Sequence, residues 1–590
     1  MIILLSMILA GAVGNSPFRI MLIIGVLILG AAGYLAYLYV RWQQRQQELS
    51  IIVGKRRHER QLLMDAALKS AELLDAQRRD MVASWTFQQL RENLQSGTVT
   101  CIEVLRAYQW KAIKAHEKTN CITMFVKEAE EWASKWDRKA QEKDFVKPAF
   151  FGIPISLKEC VPLEGYDQTR GFVQDVYAPT KVDSVMVQHV KRLGMIPFVQ
   201  TNVPQSMLSY SCSNPVYGTT NNPLDRERTS GGSSGGEAAI IAAGGSVIGI
   251  GGDVGGSIRI PCHFTGIAGI KPSHLRFSHR GVCGSVPGRP LINSNDGPMT
   301  VDIETTVDFL REVWCDDWAS KQDPYIPPVL WNEDQYKEGS KYRIGYYVDD
   351  GWFTPIPAIQ RAVLEAKSHL EAAGHTLVPF HPPSIPLVMR HFIRAVCVDG
   401  GQFLKNKLFN DIIDSTLFPQ IGLFMIPLWV QRILAYPTKF IFPRLANMMH
   451  AMALNTGELR ETYADIEDYR GDFILLMQEK KLDALLCPSQ VITAPKHNVP
   501  GKLFAACCYT AVFNLLDFAA GVVKVTETTA EDDQKLREEY PETDPWYRTA
   551  KESCKDSIGY PVSVQVAAPP YKEETALRIL RDIEIGVRGK

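Results

Sequence analysis

The stretch Gly231–Pro261, GGSSGGEAAIIAAGGSVIGIGGDVGGSIRIP, places clusters of glycine on both sides of a small-residue helix and a short apolar strand. Glycine at that density lets another group approach the backbone closely, or lets the chain take dihedrals that side chains forbid. A single such loop would need no more explanation than a tight turn. Here two loops each set serine beside paired glycines, Ser233 and Ser234 in the first and Ser257 in the second. Neither loop reads GxxxxGK followed by Ser or Thr, and the GxGxxG spacing is not met, which argues against a phosphate cradle. GGSSGG does satisfy GxSxG, so an α/β-hydrolase nucleophile elbow is the alternative. That motif needs a strand directly before the serine, and Asn222–Thr229, NPLDRERT, is polar and turn-like.

Around this block the chain alternates strand-like and helical patterns. Phe150 to Leu157 is a short apolar run ending at Lys158; Asp183 is expected to cap a helix through about Leu193, closed by Gly194 before the apolar run Met195–Val199. Thr100 with Glu103 makes a capping-box start for a helix to about Ala115. Val363, Ala366, Leu370 and Ala373 form a later helical stripe, closed by Gly374 and followed by the apolar His375–Phe380. The expectation is an α/β architecture with helices flanking a mixed sheet. A chain of 590 residues has ample core for it, and with no repeat or long flexible linker after residue 100 it reads as one large domain.

Several function classes drop out on composition. Sixty-four basic residues against 65 acidic ones give a net charge of -1, so nucleic acid is not an expected partner. The 12 cysteines contain no CxxC pair and only Cys507 and Cys508 are adjacent, which is neither a zinc framework nor a disulfide scaffold; no metal or other cofactor is expected.

Further blocks accompany the Gly-rich one in order: GIPISLKEC around Lys158, TNVPQSM at 201–207, SCSNPVYG at 211–218, IAGIKPS, DFAAGVVKVT and SIGYPVSVQ. Together they resemble the amidase signature family, above all its fatty-acid amide hydrolase branch, from about Ala83 to Ile585. The resemblance implies a large twisted mixed β-sheet flanked on both faces by helices, a homodimer, and a lipid amide as substrate, with a polar or other amide or ester substrate as the alternative. It implies Ser257 as the acyl-accepting nucleophile, Ser233 as a bridging hydroxyl, and Lys158 as base and later acid. That chemistry is sensible: a serine hydroxyl needs a base, a lysine serves only when neutral, and a loop-walled site disfavours the ammonium form. The backbone amides of Val254, Gly255, Gly256 and Ser257 are expected to turn toward one point as an oxyanion hole. Ser234, Asp253 and Arg259 are expected to orient the loops, with a purely structural Asp253–Arg259 ion pair as the alternative. An acyl channel is expected at Met207, Leu208, Cys397, Phe424, Trp429 and Trp546. Leu208 and Cys397 stand where the family pattern leads one to expect phenylalanine, pointing to a wider pocket. His263 and His274, beyond the GGSIR turn, read as structural.

The N-terminal region carries a second kind of signal. Ile20–Val40 is uncharged, strongly apolar and about the ~20 residues a bilayer-spanning helix needs. Tyr34, Tyr37, Tyr39 and Trp42 look like an interfacial belt rather than a signal-peptide cleavage site. Arg41, Arg45, Lys55, Arg56, Arg57 and Arg60 follow the run and only Arg19 precedes it, so the positive-inside rule puts the body in the cytoplasm, on one single-pass anchor. These charges read either as a solvated helical face or as contacts to lipid headgroups. The expected divisions are an apolar segment at 1–19, which includes the short apolar Met1–Gly14, an anchor at 20–40, a basic juxtamembrane and helical linker at 41–97, and the catalytic domain at 98–590. The resemblance implies an intracellular, endoplasmic-reticulum-like membrane. Within the catalytic domain, residues 417–449 are unusually apolar yet broken by Pro427, Pro437 and Pro443. They read as a helical hairpin in the membrane interface, with Arg432, Lys439 and Arg444 toward headgroups and Phe424, Met425, Leu428, Trp429, Phe440, Ile441 and Phe442 in the acyl region; an ordinary core helix pair is the alternative.

Overall fold

A computed structural model describes residues 17–282 and 284–589. The apolar segment Met1–Gly14 therefore lies outside the described residues. The first element, α1 (Pro17–Glu72), is one unbroken helix of 56 residues, about 84 Å long at 1.5 Å per residue. Its N-terminal part is long and apolar enough to cross a membrane, with no residue of that window buried. Tyr34, Tyr37, Tyr39 and Trp42 are all exposed there.

The C-terminal half of α1 docks on the body instead of hanging from it. Leu49 is buried with Val173, Val176, Val216 and Tyr217. Arg56 pairs with Asp167, Arg57 Nε donates to the Val216 carbonyl at 2.8 Å, and Arg60 Nη1 donates to Asn120 Oδ1 at 3.2 Å. These three arginines were expected to be solvated or to face headgroups. They hold the helix to the body instead, because each finds a fixed acceptor at a point where the helix is already packed.

Eleven strands form the main sheet: β1 (Ile122–Phe125), β2 (Pro154–Lys158), β3 (Ile196–Thr201), β6 (Ile248–Asp253), β7 (Ala268–Lys271), β8 (Asn295–Thr300), β9 (Arg343–Tyr346), β10 (Thr376–Pro379), β11 (Ala484–Pro488), β12 (Ala519–Glu527) and β13 (Pro561–Ala568). Their order is β1-β3-β2-β6-β8-β7-β12-β13-β11-β9-β10, and β4 (Ser213–Asn214) pairs with β5 (Gly218–Thr219) apart from it. β2 runs parallel to β3 and β6, and β9 parallel to β10 and β11, while β6–β8 and β12–β13 are antiparallel, so the sheet is mixed. Every residue of β2, β3, β6 and β13 is buried, as happens when both faces of a sheet are covered.

Local signals set most helix boundaries. The capping box of Thr100 and Glu103 opens α2 (Cys101–Thr119). The next expected cap shifts by one residue: Ser184 Oγ accepts from the Val187 amide at the start of α3 (Val185–Arg192). Asp183 is engaged elsewhere, accepting from the Glu164 amide at 2.9 Å and pairing with Lys191 at 2.7 Å. Two short helices follow the glycine-rich loops, α4 (Gly235–Ala242) and α5 (Arg259–Thr265). Farther on, α6 (Pro357–Ala372) buries Val363, Ala366 and Leu370 and turns at Gly374, φ +91°, into β10.

α7 (Ile385–Val396) leads toward the apolar insertion, which folds as α8 (Phe418–Met425), α9 (Leu428–Thr438) and α10 (Pro443–Met449). The segment through α8 and the helix α9 are bent by 93° at Ile426 and Pro427, where proline cannot continue a helix. Trp429, Phe440 and Ile441 are 64%, 74% and 78% exposed, and Met425, Ile433 and Tyr436 are exposed with them, so this is not a core helix pair. Three expectations are corrected. Phe442 is buried, edge-on to Trp546 at 4.9 Å. Arg444 is buried too, paired with Asp544, donating Nη1 to the Trp352 carbonyl at 3.1 Å and stacked 3.8 Å over Tyr547. A buried carboxylate and two aromatic faces outbid water for this guanidinium. Arg432 likewise turns inward to Glu458 and the Met452 carbonyl.

Candidate active site

Lys158 is the last residue of β2, one of the fully buried strands, so its side chain starts from a rigid place. Nζ donates to Ser233 Oγ at 2.7 Å and to the Gly252 carbonyl at 3.0 Å, and the side chain is buried. Ser233 sits in the loop before α4, after a cis Gly232–Ser233 peptide. Gly231 precedes it with φ +91°, and a Cβ there would come within 2.5 Å of Pro261 Cα. Only glycine allows this loop to lie against α5.

The second serine follows β6. Asp253, at the strand's end, is fully buried and organises the turn: Oδ1 accepts from the Gly256 amide at 2.8 Å, and Oδ2 from the Ile258 amide at 3.1 Å. Arg259 closes the arrangement with Nε on Oδ2 at 3.0 Å and Nη2 on Oδ1 at 2.9 Å, and Asn514 Nδ2 adds a further donor at 3.0 Å. Burial alone would push the Asp253 carboxyl up; the Arg259 charge and these hydrogen bonds hold it well below the usual carboxylate range. The pair is thus structural and orients the loop at once. Ser234 ties the two loops together, its amide donating to the Ser257 carbonyl at 3.1 Å while its Oγ contacts both the amide and the carbonyl of Gly252 at 3.3 Å.

Ser257 itself is partly exposed, and among the described residues its Oγ has no hydrogen-bond partner. The expected bridge is therefore half formed, with Lys158–Ser233 made and Ser233–Ser257 open. Of the four amides expected to face one point, that of Gly256 is committed to Asp253. Those of Val254, Gly255 and Ser257 have no acceptor among the described residues. Gly256 takes φ +123°, and a Cβ on it would stand 2.3 Å from Thr510 Oγ1.

On the other side of Phe392 from this loop lies a cavity of about 150 Å³, lined by Leu208, Phe392, Cys397, Leu417, Phe424 and Cys507 among others. Phe392 is the link: its ring lies where a Cβ on Gly255 would point, 2.7 Å from Cζ. Of the residues expected along an acyl channel, Leu208, Cys397 and Phe424 line this cavity. Met207, Trp429 and Trp546 lie outside this lining. Trp429 faces outward from α9, and Trp546, 5% exposed, packs behind the wall against Phe504 and Phe353.

Sequence reasoning missed four neighbours of the site. Thr510 Oγ1 donates to the Gly255 carbonyl at 2.7 Å from a distant helix. Phe392 came from an apolar run like any other. Glu237, buried in α4, accepts from Ser156 Oγ at 2.6 Å and Thr201 Oγ1 at 2.7 Å; burial pushes its carboxyl up to about 7 against those hydrogen bonds. Asp296 pairs with Gly252 across β6–β8, and burial raises it to about 7 against the Lys158 charge. Only Glu237, directly after GGSSGG, carried a signal that could have been read. His263 is structural: Nδ1 accepts from the Ser563 amide, Nε2 contacts the Ile492 carbonyl, and burial lowers it to about 4.

Comparison with known proteins accords with this geometry. The chain is 56% identical over 566 residues to fatty acid amide hydrolase 1 of Caenorhabditis elegans, covering 96% of this chain and 99% of that one. It is 39% identical over 561 residues to fatty-acid amide hydrolase 1 of Sus scrofa, covering 93% and 94%. A solved fatty acid amide hydrolase shares the fold, with a TM-score of 0.76 at 23% identity over 91% of this chain and 94% of that one. The family model described as Amidase matches residues 103–577, and the chain belongs to the amidase family.

Proposed function

We propose that this chain is a membrane-associated serine hydrolase that cleaves fatty acid amides to a free fatty acid and an amine or ammonia. The observation that carries the reading is the buried Lys158–Ser233 contact beside the Ser257 loop, with an apolar cavity that reaches that loop through the Phe392 ring. In the proposed reaction Ser257 Oγ turns toward Ser233 and attacks the amide carbonyl. Its proton passes to Ser233 Oγ, whose own proton goes to a neutral Lys158 Nζ. The amides of Val254, Gly255 and Ser257 receive the oxyanion. The proton then returns along the same path to the leaving nitrogen, the C–N bond breaks, and an acyl-Ser257 ester remains. Water attacks that ester with the relay running again, releasing the acid.

The substrate class follows from the surroundings of the site. An acyl chain in the cavity touches Leu208, Cys397 and Phe424, and the exposed Trp429, Phe440 and Ile441, on the same insertion as Phe424, suit a bilayer's acyl region. A lipid can then enter sideways without its chain crossing water. On this reading residues 20–40 span the membrane once, residues 98–590 form a cytoplasmic catalytic domain on an endoplasmic-reticulum-like membrane, and two copies associate as a dimer.

The test is a panel of acyl amides from acetamide to long-chain amides, followed by mass spectrometry, with fluorophosphonate labelling of the wild type, Ser257→Ala and Lys158→Ala. Long-chain amides should be the preferred substrates, with labelling lost in Ser257→Ala. Turnover confined to short polar amides would overturn the lipid assignment, and undiminished labelling of Ser257→Ala would overturn the nucleophile.

A further inference from the structure

α7 has two jobs. Met389, Phe392 and Val396 line the acyl cavity, while Arg390 opens into a second cavity of about 490 Å³ between α7, α9 and α10, lined also by Arg432, Tyr436, Lys439, Asn447 and His450. This second cavity is cationic, and its charges are only partly answered. Arg432 reaches Glu458 and sets Nη1 2.7 Å from His450 Nδ1. Arg394, behind it, shares the same Glu458 at 3.0 Å. Arg390 has only the neutral Asn447 Oδ1, at 3.2 Å from Nε and 2.8 Å from Nη2, and its Nη1 has no partner among the described residues. Lys439 is exposed, and its Nζ has none among the described residues either. The other carboxylate nearby, Asp465, stands beside His391 at 3.5 Å.

Cations gathered this way repel one another, and an anion between them relieves that repulsion while gaining charge-assisted hydrogen bonds. The same crowding acts on His450: burial and then Arg432, Arg390 and Arg394 lower its pKa against the opposing charge of Glu458. The rim says what else the ligand carries. Tyr436, Phe440 and Ile441, each about three-quarters exposed, stand on the same helix and the turn after it. A free inorganic anion has no use for those side chains, whereas an anion joined to hydrocarbon satisfies both features.

We propose that this cavity is a binding site for the phosphate of an acidic glycerophospholipid, with Arg390 and Lys439 donating to its oxygens and Tyr436, Phe440 and Ile441 lying along its hydrocarbon. The site rests on the membrane docking proposed above, but it is separate from the acyl cavity and takes no part in turnover. It makes the lipid surface a specific ligand of the insertion as well as its solvent.

The full chain in an uncharged detergent is titrated with dihexanoyl-phosphatidic acid, dihexanoyl-phosphatidylcholine or inorganic phosphate, and the thermal midpoint is followed, since a ligand of the folded state raises it. Phosphatidic acid should raise the midpoint at concentrations where the other two do not. In Arg390→Gln/Lys439→Gln its apparent Kd should rise by about tenfold or more, the loss of one charge-assisted contact or greater. The exposed Lys439→Gln alone carries the test if the double variant fails to fold, and Lys439→Arg should retain binding. Equal stabilisation by phosphatidylcholine, or an unchanged Kd in the glutamine variants, would overturn the site; equal stabilisation by inorganic phosphate would overturn the lipid as its ligand. Because binding is read without turnover, these outcomes are independent of whether the chain hydrolyses fatty acid amides.

Discussion

Replacing Asp253 by asparagine keeps the side-chain volume and removes one charge from a pair that is fully buried on both sides. Six donors converge on the carboxylate: the Gly256, Ile258 and Arg259 amides, Arg259 Nε and Nη2, and Asn514 Nδ2. An asparagine offers only one oxygen, so its NH2 must face at least two of these donors. Arg259 would keep only the neutral acceptors Thr510 O, Gln565 Oε1 and Asn514 Oδ1. Breaking a buried pair from one side costs about 3 to 5 kcal/mol, because the remaining charge is left without its partner. The same change frees the Gly256 amide and loosens the turn that aims the neighbouring amides, and loss of one oxyanion donor costs on the order of 10²-fold in rate. The assay is a denaturant titration of wild type, Asp253→Asn, Arg259→Met and the double variant, with kcat measured on a soluble amide. The double variant should lose clearly less stability than the sum of the singles, since it leaves no orphaned charge. The pH dependence has a definite sign. Asp253 is depressed in the fold, so its stabilisation is present above the unfolded value of about 3.9 and is lost as pH falls through the folded one. Wild-type and Asp253→Asn stabilities should therefore converge only in strong acid. Additive single losses, or an undiminished kcat in Asp253→Asn, would refute the reasoning.

If Lys158 is the base, Lys158→Ala should lower kcat on a soluble amide by about 10²-fold or more, the usual loss on removing a general base; an unchanged kcat would assign the base elsewhere. Gly256→Ala should abolish fluorophosphonate labelling, because a Cβ at φ +123° meets Thr510 Oγ1 at 2.3 Å; normal labelling would mean the turn can relax. Glu237 has a raised folded pKa, so its contribution is full below the unfolded value of about 4.3 and is lost as pH rises through about 7. Glu237→Gln should accordingly lessen the fall in thermal midpoint between pH 5 and 8. Changing Trp429, Phe440 and Ile441 to serine in a chain lacking residues 1–45 should release it from liposomes and raise KM for long acyl amides more than for short ones, since burying each large side chain is worth about 1.5 to 3 kcal/mol.

Much of the site was legible because its constraints are local. A turn that must hold serine against a neighbouring backbone admits only glycine at Gly231 and Gly256, so the spacing of the GGSSGG and GGSIR segments carried Ser233, Ser234 and Ser257 together. Lys158 was readable as the end of an apolar run, and the capping box at Thr100 announced its helix two residues at a time. Asp183 was misassigned as a cap because the choice between it and Ser184 depends on Glu164 and Lys191 nearby in the fold, which no local pattern reports.

By itself, then, the sequence determined the family, the sheet-and-helix grammar, the paired serines with their lysine, and an apolar N-terminal helix with an apolar insertion later in the chain. Those follow from residue type at fixed spacing. Tertiary structure alone decided which charges face water and which do not. Arg444, Arg432 and Lys439 all look like headgroup ligands in the sequence, but Asp544 and Glu458, about 100 and 26 residues later, turn the first two inward, while Lys439 is left facing a cavity with Arg390, which nothing in the sequence singled out. Tertiary structure also committed the Gly256 amide to Asp253 and brought Thr510 and Asp296 to the serine-bearing loops. A charged or polar group settles wherever its best partner lies, and in a chain of this length that partner is brought close only by the fold.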